Sequence, residues 1–317
     1  MARKSLKGRI KQGLFLLDGA MGTELIARGL EVGTCNEYLN VTSPDIVSGI
    51  HRAYLQAGSD AILTNTFGAN KYVLARYGFG DEVVRLNIAG AEIARRAAGE
   101  ERYVLGDIGP SGDFLEPLGR LKPNELKAAF AQQAGALLDG GVDGFIIETI
   151  TALDEATITI EAVKSVSGDL PVFASMAFDR VGGGFKTMMG VDVESAVSKM
   201  ISLEVDAVGF NCGTASLDEY VELAEKYVSA IKALKNSRVT SHESQVTIFA
   251  EPNAGRPELI EGRAVYKVSP EDFAAAAEKI YSTGVNIIGG CCGTGPAHIQ
   301  AVAKKLRSRQ RITRDEG

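Results

Sequence analysis

The sequence predicts a single (β/α)8 barrel that spans residues 1–317. Eight short apolar segments of strand length alternate with helix-length segments, and one kind of helix-to-strand turn recurs four times. An open, doubly wound sheet would usually show fewer strands in one domain. Eight alternating strands and helices therefore favour a closed parallel barrel.

The predicted strands are largely apolar, as expected for strands buried on both faces. They cover residues 14–17, 61–65, 103–106, 144–147, 172–177, 207–211, 246–250 and 286–290. Between them, apolar residues recur every three or four positions, as in Leu126, Phe130, Ala134 and Leu137. This spacing predicts helices with one apolar face toward the sheet.

The recurring turn leads from a helix into a buried strand. It occurs at residues 58–61, 141–144, 204–207 and 284–287, with glycine first in three cases and Glu204 first in the other. A glycine that ends a helix before a strand is a common helix stop. We interpret the polar stretch 235–245 as a surface excursion, and 307–317 as a charged tail that can be disordered.

Composition and charge exclude several classes of partner. The formal net charge of -6 gives no basic field for nucleic acid or for an anionic membrane surface. No segment resembles a signal peptide or reaches the length of a membrane-spanning helix. We therefore expect a cytoplasmic protein whose four cysteines are free or metal-bound rather than paired in disulfides.

Polar residues follow most of the predicted strands. Catalytic groups of (β/α)8 barrels lie where strands end and loops begin. Those positions hold Asp18, Asn65, Thr66, Asp107, Glu148, Asp179, Cys212, Glu251, Asn253, Cys291 and Cys292. Three of the four cysteines are thus expected at one rim of the barrel.

The three rim cysteines predict a catalytic zinc site. A closed structural zinc site needs four protein ligands, whereas Cys212, Cys291 and Cys292 leave the fourth position to a substrate. Neighbouring residues of a regular strand point to opposite faces, so the adjacent pair can share an ion only where the strand geometry ends. The flanking glycines of the segment 289–293 permit that departure.

Two other interpretations of the cysteines stay open. Free cysteines often behave as small buried apolar residues. An adjacent pair can also form a redox-active disulfide, although this leaves Cys212 unexplained.

The sulfur ligands also indicate the kind of chemistry. Three thiolates donate much electron density to a zinc ion, which favours a nucleophilic bound sulfur over an activated water molecule. The cysteines therefore point to alkylation of a substrate thiol.

Seven short motifs stand out along the chain: Asp18-Gly19-Ala20-Met21-Gly22-Thr23, Cys35-Asn36-Glu37, Thr64-Asn65-Thr66-Phe67, Glu148-Thr149, Asn211-Cys212, Pro252-Asn253-Ala254-Gly255 and Gly289-Gly290-Cys291-Cys292-Gly293. Together they resemble the homocysteine S-methyltransferase family, and most closely the homocysteine-binding module of cobalamin-dependent methionine synthase. The resemblance covers residues 14–306. It implies a (β/α)8 barrel, one zinc ion on three thiolates, and methyl transfer to homocysteine sulfur to give methionine.

The resemblance also implies roles for single residues. Cys212, Cys291 and Cys292 match the zinc ligands, and Asn253 matches a stand-in ligand for the substrate-free state. Asp18, Gly19 and Glu148 match positions that hold the amino-acid end of homocysteine, and Thr66 and Phe67 complete the predicted substrate site. A carboxylate such as Glu148 can pair with the substrate ammonium. Asp18 and Glu148 could instead cap loops.

The methyl donor is the open part of the prediction. We find no corrinoid-binding signature around the three histidines, so methylcobalamin would have to arrive on a separate corrinoid protein, which we favour. S-methylmethionine and betaine are alternative donors, although the absence of Trp is unfavourable for a site that binds a quaternary ammonium group. Another small thiol as acceptor, or a purely structural zinc, are the remaining alternatives.

Overall fold

Eight parallel strands form the barrel of the structure, as the sequence predicted. The computed structural model describes residues 3–237, 246–260 and 263–315. The strands are β1 (Phe15–Leu16), β2 (Ala61–Leu63), β3 (Tyr103–Ile108), β4 (Gly144–Ile150), β5 (Val172–Met176), β6 (Asp179–Val181), β7 (Gly184–Lys186), β8 (Ala207–Asn211), β9 (Thr247–Glu251), β10 (Glu258–Ile260), β11 (Arg263–Val265) and β12 (Ile287–Ile288). The pairs β6–β7 and β10–β11 are separate antiparallel hairpins, and the others follow the order β1-β12-β9-β8-β5-β4-β3-β2.

Helices fill the intervals between the barrel strands. They are α1 (Leu6–Arg9), α2 (Met21–Ala27), α3 (Leu39–Thr42), α4 (Pro44–Ala57), α5 (Lys71–Arg76), α6 (Val83–Ala98), α7 (Pro123–Asp139), α8 (Leu153–Ser167), α9 (Val193–Ser202), α10 (Leu217–Ser237), α11 (Pro270–Thr283) and α12 (Pro296–Asp315). The apolar residues predicted for α7 are buried, as expected from their spacing. None of the helices in the described part of the chain is long and apolar enough to cross a membrane.

The charged segment at the end of the chain is largely helical. Helix α12 continues to Asp315 through most of the segment 307–317, because no glycine or proline interrupts it before Gly317. The glycine run at 182–184 forms the turn between β6 and β7. Most of the predicted surface excursion lies outside the described residues, and its first three residues end α10.

Hydrogen bonds of Asp60 and Asp18 close the barrel between β1 and β2, the strands at the two ends of the strand order. The carboxylate of Asp60 accepts the Leu16 amide at 2.9 Å, and the Asp60 amide donates to the Leu16 carbonyl at 2.7 Å. Nearer the rim, Asp18 Oδ2 accepts the Leu63 amide at 3.0 Å. Asp18 therefore joins the two strands, which supports the structural interpretation of this residue.

The recurring helix-to-strand turn begins with the same kind of backbone conformation in every copy. Its first residue has a positive φ in every copy: 114° at Gly58, 88° at Gly141, 116° at Gly284 and 55° at Glu204. In three copies the aspartate two residues later accepts a backbone amide near the start of a neighbouring strand, from Leu16, Val104 and Val172. The sequence repeat thus marks a structural repeat at the amino end of the barrel.

We expect Glu204→Gly to stabilise the protein by about 1 kcal/mol, because a side chain in the left-handed region costs about that much. The exposed Glu204 carboxylate lies 3.6 Å from Lys164, and such a surface pair contributes little. The measurement is the midpoint of thermal unfolding, which should rise by about 2 °C. Glu204→Ala, which keeps the Cβ, is the control, and an equal gain in that variant would contradict the explanation.

The amino-terminal segment seals the lower end of the barrel. Leu6 and Ile10 are buried with the inward-facing side chains of the strands, among them Phe15, Phe173 and Phe249. Among the described residues, this packing fills the barrel interior at its amino end, so a ligand of the interior would bind at the carboxyl ends of the strands.

Candidate functional site

A cavity of about 390 Å³ lies at the carboxyl ends of the strands. It is lined by Ala20, Met21, Gly22, Thr23, Asn36, Glu37, Thr64, Asn65, Thr66, Phe67, Asp107, Glu148, Thr149, Cys212, Cys291 and Cys292. This lining contains three carboxyl groups and no lysine, arginine or histidine. The cavity is therefore suited to a ligand that carries positive charge.

Three cysteine sulfurs meet at this cavity. The Sγ atoms of Cys212, Cys291 and Cys292 all lie within 4.8 Å of one another, and those of Cys291 and Cys292 are 3.9 Å apart. Thiolates that bind zinc tetrahedrally at about 2.3 Å are about 3.8 Å from each other. The three sulfurs therefore have the spacing that one metal ion such as zinc requires, and all three cysteines line the cavity.

The adjacent cysteines can face one ion because the strand ends before them. Strand β12 stops at Ile288, and the cysteines follow two glycines that have no room for a side chain. A Cβ on Gly289 would lie 2.8 Å from Leu17, and one on Gly290 would lie 2.6 Å from Thr294. These glycines thus permit close packing, whereas Gly293, with φ of 79°, turns the chain under the ring of Tyr266.

The third cysteine stands in an unusual backbone conformation. Cys212 has a φ of 55°, which is rare for a residue with a side chain and is common at functional sites. Tyr220 donates its hydroxyl to the Cys212 carbonyl at 2.6 Å, and Asp179 accepts the Thr214 amide at 2.8 Å. These contacts hold the loop after β8 so that the Cys212 thiol points toward the other two.

The three thiols do not ionise independently. Hydrogen bonding from the Cys212 thiol holds the pKa of Cys292 well below its ordinary value, while hydrogen bonding to Cys212 raises the pKa of Cys291. Without a cation the cluster therefore favours one thiolate shared by neighbouring thiols. A full set of three thiolates needs a bound cation to balance its charge.

Asn211, the last residue of β8, contacts both the cysteine cluster and Thr149 in the cavity wall. Its Oδ1 accepts the Thr149 amide and the Ser175 hydroxyl, each at 2.8 Å. Its Nδ2 donates to Thr149 Oγ1 at 2.7 Å and approaches Cys291 Sγ at 3.7 Å. Thr149 has a φ of 64°, so Asn211 holds a strained residue directly after Glu148.

Glu148 lines the cavity and is buried among other carboxyl groups. Burial, together with negative charge on Cys212, raises the pKa of Glu148 to about 8. Burial also raises the pKa values of Asp18, Asp107 and Glu251 well above the ordinary range. Without a cationic ligand, these groups therefore tend to hold protons.

This burial predicts an inverted pH dependence for the metal-free, ligand-free protein. Between its unfolded pKa of 4.5 and its folded pKa of about 8, Glu148 keeps a proton that the unfolded chain has released. Stability therefore falls as pH rises through that window, by up to about 1.4 kcal/mol per pH unit for this group. Urea unfolding at about pH 5.5 and 7.5 measures it. Glu148→Gln should weaken the slope, and an unchanged slope would contradict the assignment.

The remaining predicted substrate residues lie in or directly behind the cavity wall. Thr66 and Phe67 line the cavity, and a Cβ on Gly109 would lie 2.6 Å from the Phe67 ring. Gly19 approaches Thr294 and Tyr54 so closely that a Cβ would lie 2.7 Å from Thr294 Oγ1. Position 19 therefore requires glycine for packing.

Asn253 lies on the loop that pairs with the cysteine loop. The Cys291 amide donates to the Pro252 carbonyl and the Ala254 amide to the Cys292 carbonyl, each at 2.9 Å. The Asn253 Nδ2 donates to the Gly213 carbonyl at 2.7 Å, whereas its Oδ1 has no hydrogen-bond partner among the described residues. An amide oxygen without a partner in the described part of the chain, on a loop whose backbone pairs with the cysteine loop, suits a fourth metal ligand.

The cavity or its wall also includes residues that were not among the predicted site residues, notably Glu37, Asp107, Thr149 and Asn211. Asp107 directly follows a predicted strand, and the other three stand in the motifs that carry the family resemblance. The positions of these residues in the sequence could therefore have identified them as site residues. Their contacts depend on how neighbouring strands are placed and could not be predicted from spacing.

The family model for homocysteine S-methyltransferase matches residues 15–306. The chain belongs to this family. Within it, the methionine synthase of Mycobacterium tuberculosis is 35% identical over 324 residues, which cover 96% of this chain and 26% of that protein. The methionine synthase of Mycobacterium leprae is 34% identical over 313 residues, which cover 93% of this chain and 24% of that protein. This homocysteine S-methyltransferase family member thus spans about a quarter of the length of these relatives.

Solved structures show the same fold. The metallated form of the homocysteine methyltransferase MmuM from Escherichia coli superposes with a TM-score of 0.71 at 24% identity, over 96% of this chain and 100% of that chain. A methyltransferase from Methanosarcina mazei superposes with a TM-score of 0.58 at 11% identity, over 98% of this chain and 97% of that one. The barrel architecture of the family is therefore confirmed.

Proposed function

We propose that this chain is a zinc-dependent methyltransferase that converts homocysteine to methionine. The observation that carries the proposal is a cluster of three cysteine sulfurs with metal-site spacing, placed in a cavity whose other charged groups are carboxyl groups. A thiol that also bears an ammonium group matches both features. Membership of the homocysteine S-methyltransferase family supports the same acceptor.

In this proposal Cys212, Cys291 and Cys292 hold the zinc ion. When bound, zinc lowers the pKa of a substrate thiol at its open position and leaves the sulfur nucleophilic. Asn253 would be the further protein ligand of the ion in the absence of substrate. The thiol proton leaves to solvent, a new carbon–sulfur bond forms to the methyl group, and the bond between that methyl group and its donor breaks.

The residues of the chain orient the substrate for this transfer. Glu148 accepts the substrate ammonium at the cavity wall. The segment Ala20 to Thr23 also lines the cavity and includes the start of α2. The first amides of a helix have no partner within the helix, so they can take the substrate carboxylate. Thr66 and Phe67 complete the wall.

We propose a separate methylcorrinoid protein as the methyl donor. Relatives named methionine synthase are about four times as long as this chain. This length is in keeping with a methyl donor that is carried by a part of the protein outside the barrel. S-methylmethionine or betaine is the second candidate, favoured by the carboxyl groups of the cavity, which suit a sulfonium or ammonium ion.

For the methyl acceptor, the alternative to homocysteine is another small thiol. We expect the reaction to take place in the cytoplasm.

A donor panel tests the function. Zinc-loaded protein with homocysteine is offered a methylated corrinoid protein, free methylcobalamin, S-methylmethionine or betaine, and methionine is measured by mass spectrometry. The proposal predicts methionine with a methylcorrinoid donor. Turnover with S-methylmethionine or betaine alone would select the second candidate. No methionine with any donor, from protein that contains one zinc per chain, would contradict homocysteine methylation.

A further inference from the structure

The proposed zinc site and the proposed role of Glu148 leave one buried cavity residue, Asp107, without an assigned function. Asp107 lies in β3, is only 6% exposed and lines the cavity. Its Oδ1 is buried and has no hydrogen-bond partner among the described residues. A buried polar atom without a partner is costly, so such atoms often mark a place where a ligand binds.

The backbone around Asp107 is fixed by two threonines. Its amide donates to Thr64 Oγ1 at 2.9 Å, and its carbonyl accepts the Thr66 hydroxyl at 2.7 Å. The two threonine hydroxyls are also 2.5 Å from each other. The carboxyl group is thus presented to the cavity from a rigid strand end, which favours precise recognition of a ligand.

The other acidic groups near the cavity have protein partners. Glu37 accepts the Gly68 amide at 2.7 Å through Oε1 and the Cys35 thiol at 3.4 Å through Oε2. Asp18 uses Oδ2 to join β1 to β2, and Glu148 Oε2 lies 3.4 Å from Asn211 Nδ2. Among these groups, Asp107 is the one whose buried carboxylate oxygen has no hydrogen-bond partner among the described residues.

We propose that Asp107 binds the α-ammonium group of the substrate together with Glu148, and so restricts the site to thiols that carry an amino group. An ammonium group has three N–H donors and can bond to more than one carboxylate. Asp107 is buried near further carboxyl groups, those of Glu148, Glu251, Asp18 and Glu37, and a cationic partner would balance the charge when they ionise. This inference rests on the proposed function, because it assumes an amino-acid thiol as the substrate.

Binding measurements test this role without any methyl donor. Calorimetry compares L-methionine with 4-(methylthio)butyrate on metal-free protein, and L-homocysteine with 4-mercaptobutyrate on zinc-loaded protein. The members of each pair differ only in the amino group. We expect Asp107→Asn to weaken binding of both amino acids by about tenfold or more, since hydrogen bonds to charged groups have that strength. Binding of the two analogues without the amino group should change by less than about twofold.

Glu251→Gln is the matched control. Glu251 is equally buried and also has an unpartnered oxygen, but it does not line the cavity. It should affect both ligand pairs by less than about threefold. Equal losses in the two variants, equal losses for both members of a pair, or no preference of the wild type for the amino ligands would each overturn the proposal. Because these readouts need no donor, they stand apart from the outcome of the donor panel.

Discussion

Cys292→Ala is expected to fold but to lose its zinc on purification, with an affinity for zinc lower by on the order of 100-fold or more. The reason is the geometry of the cluster: the Cys292 sulfur lies 3.9 Å from that of Cys291, as two ligands of one ion should. Its thiol also has the lowered pKa of the group that ionises first. Zinc per chain, measured by plasma mass spectrometry after dialysis, is the readout.

Cys35→Ala is the matched control for the same measurement. Cys35 is buried, but its thiol contacts Glu37 and is not part of the three-sulfur cluster. This variant should retain one zinc ion per chain. Full zinc content in Cys292→Ala, or loss of zinc in Cys35→Ala, would contradict the assigned ligand set.

Glu148→Gln is expected to raise the KM for homocysteine by about 10-fold to 100-fold, the range for a lost hydrogen bond between charged groups. The carboxylate lines the cavity beside the cysteines, where an ammonium group would replace the proton that burial favours. The side-chain shape is kept, so Asn211 and Thr149 should stay in place. Initial rates with the donor that the panel identifies provide the measurement.

Zinc content separates this effect from damage to the metal site. Glu148→Gln should hold one zinc ion per chain, because Glu148 is outside the sulfur cluster. Binding of 4-mercaptobutyrate, measured by calorimetry, should change little. An unchanged KM for homocysteine in a zinc-loaded variant would remove Glu148 from the ammonium site.

The barrel could be predicted from the sequence because buried parallel strands leave a direct signal in apolar runs. The strand ends, and with them the three cysteines, followed from the same signal. The repeated turn was also visible, since its glycines mark a positive φ that Gly58, Gly141 and Gly284 adopt. Glu204 shows that the fold imposes this conformation even on a residue that disfavours it.

Features that depend on contacts between distant segments could not be predicted. The left-handed conformation of Cys212 has no sequence signal, since it is held by Tyr220 and Asp179. Asn211 gains its role only when β8 stands beside β4, and Asp18 only when β1 meets β2. Such contacts require the three-dimensional arrangement of the strands.

X-ray absorption at the zinc edge tests the central claim most directly. The zinc-loaded protein should show three sulfur ligands and one oxygen or nitrogen ligand, and addition of homocysteine should change the set to four sulfurs near 2.3 Å. The same experiment with homoserine, which has no thiol, should leave three sulfurs. Fewer than three sulfurs at rest, or no fourth sulfur once homocysteine is shown to be bound, would contradict a three-cysteine zinc site that binds the substrate thiol.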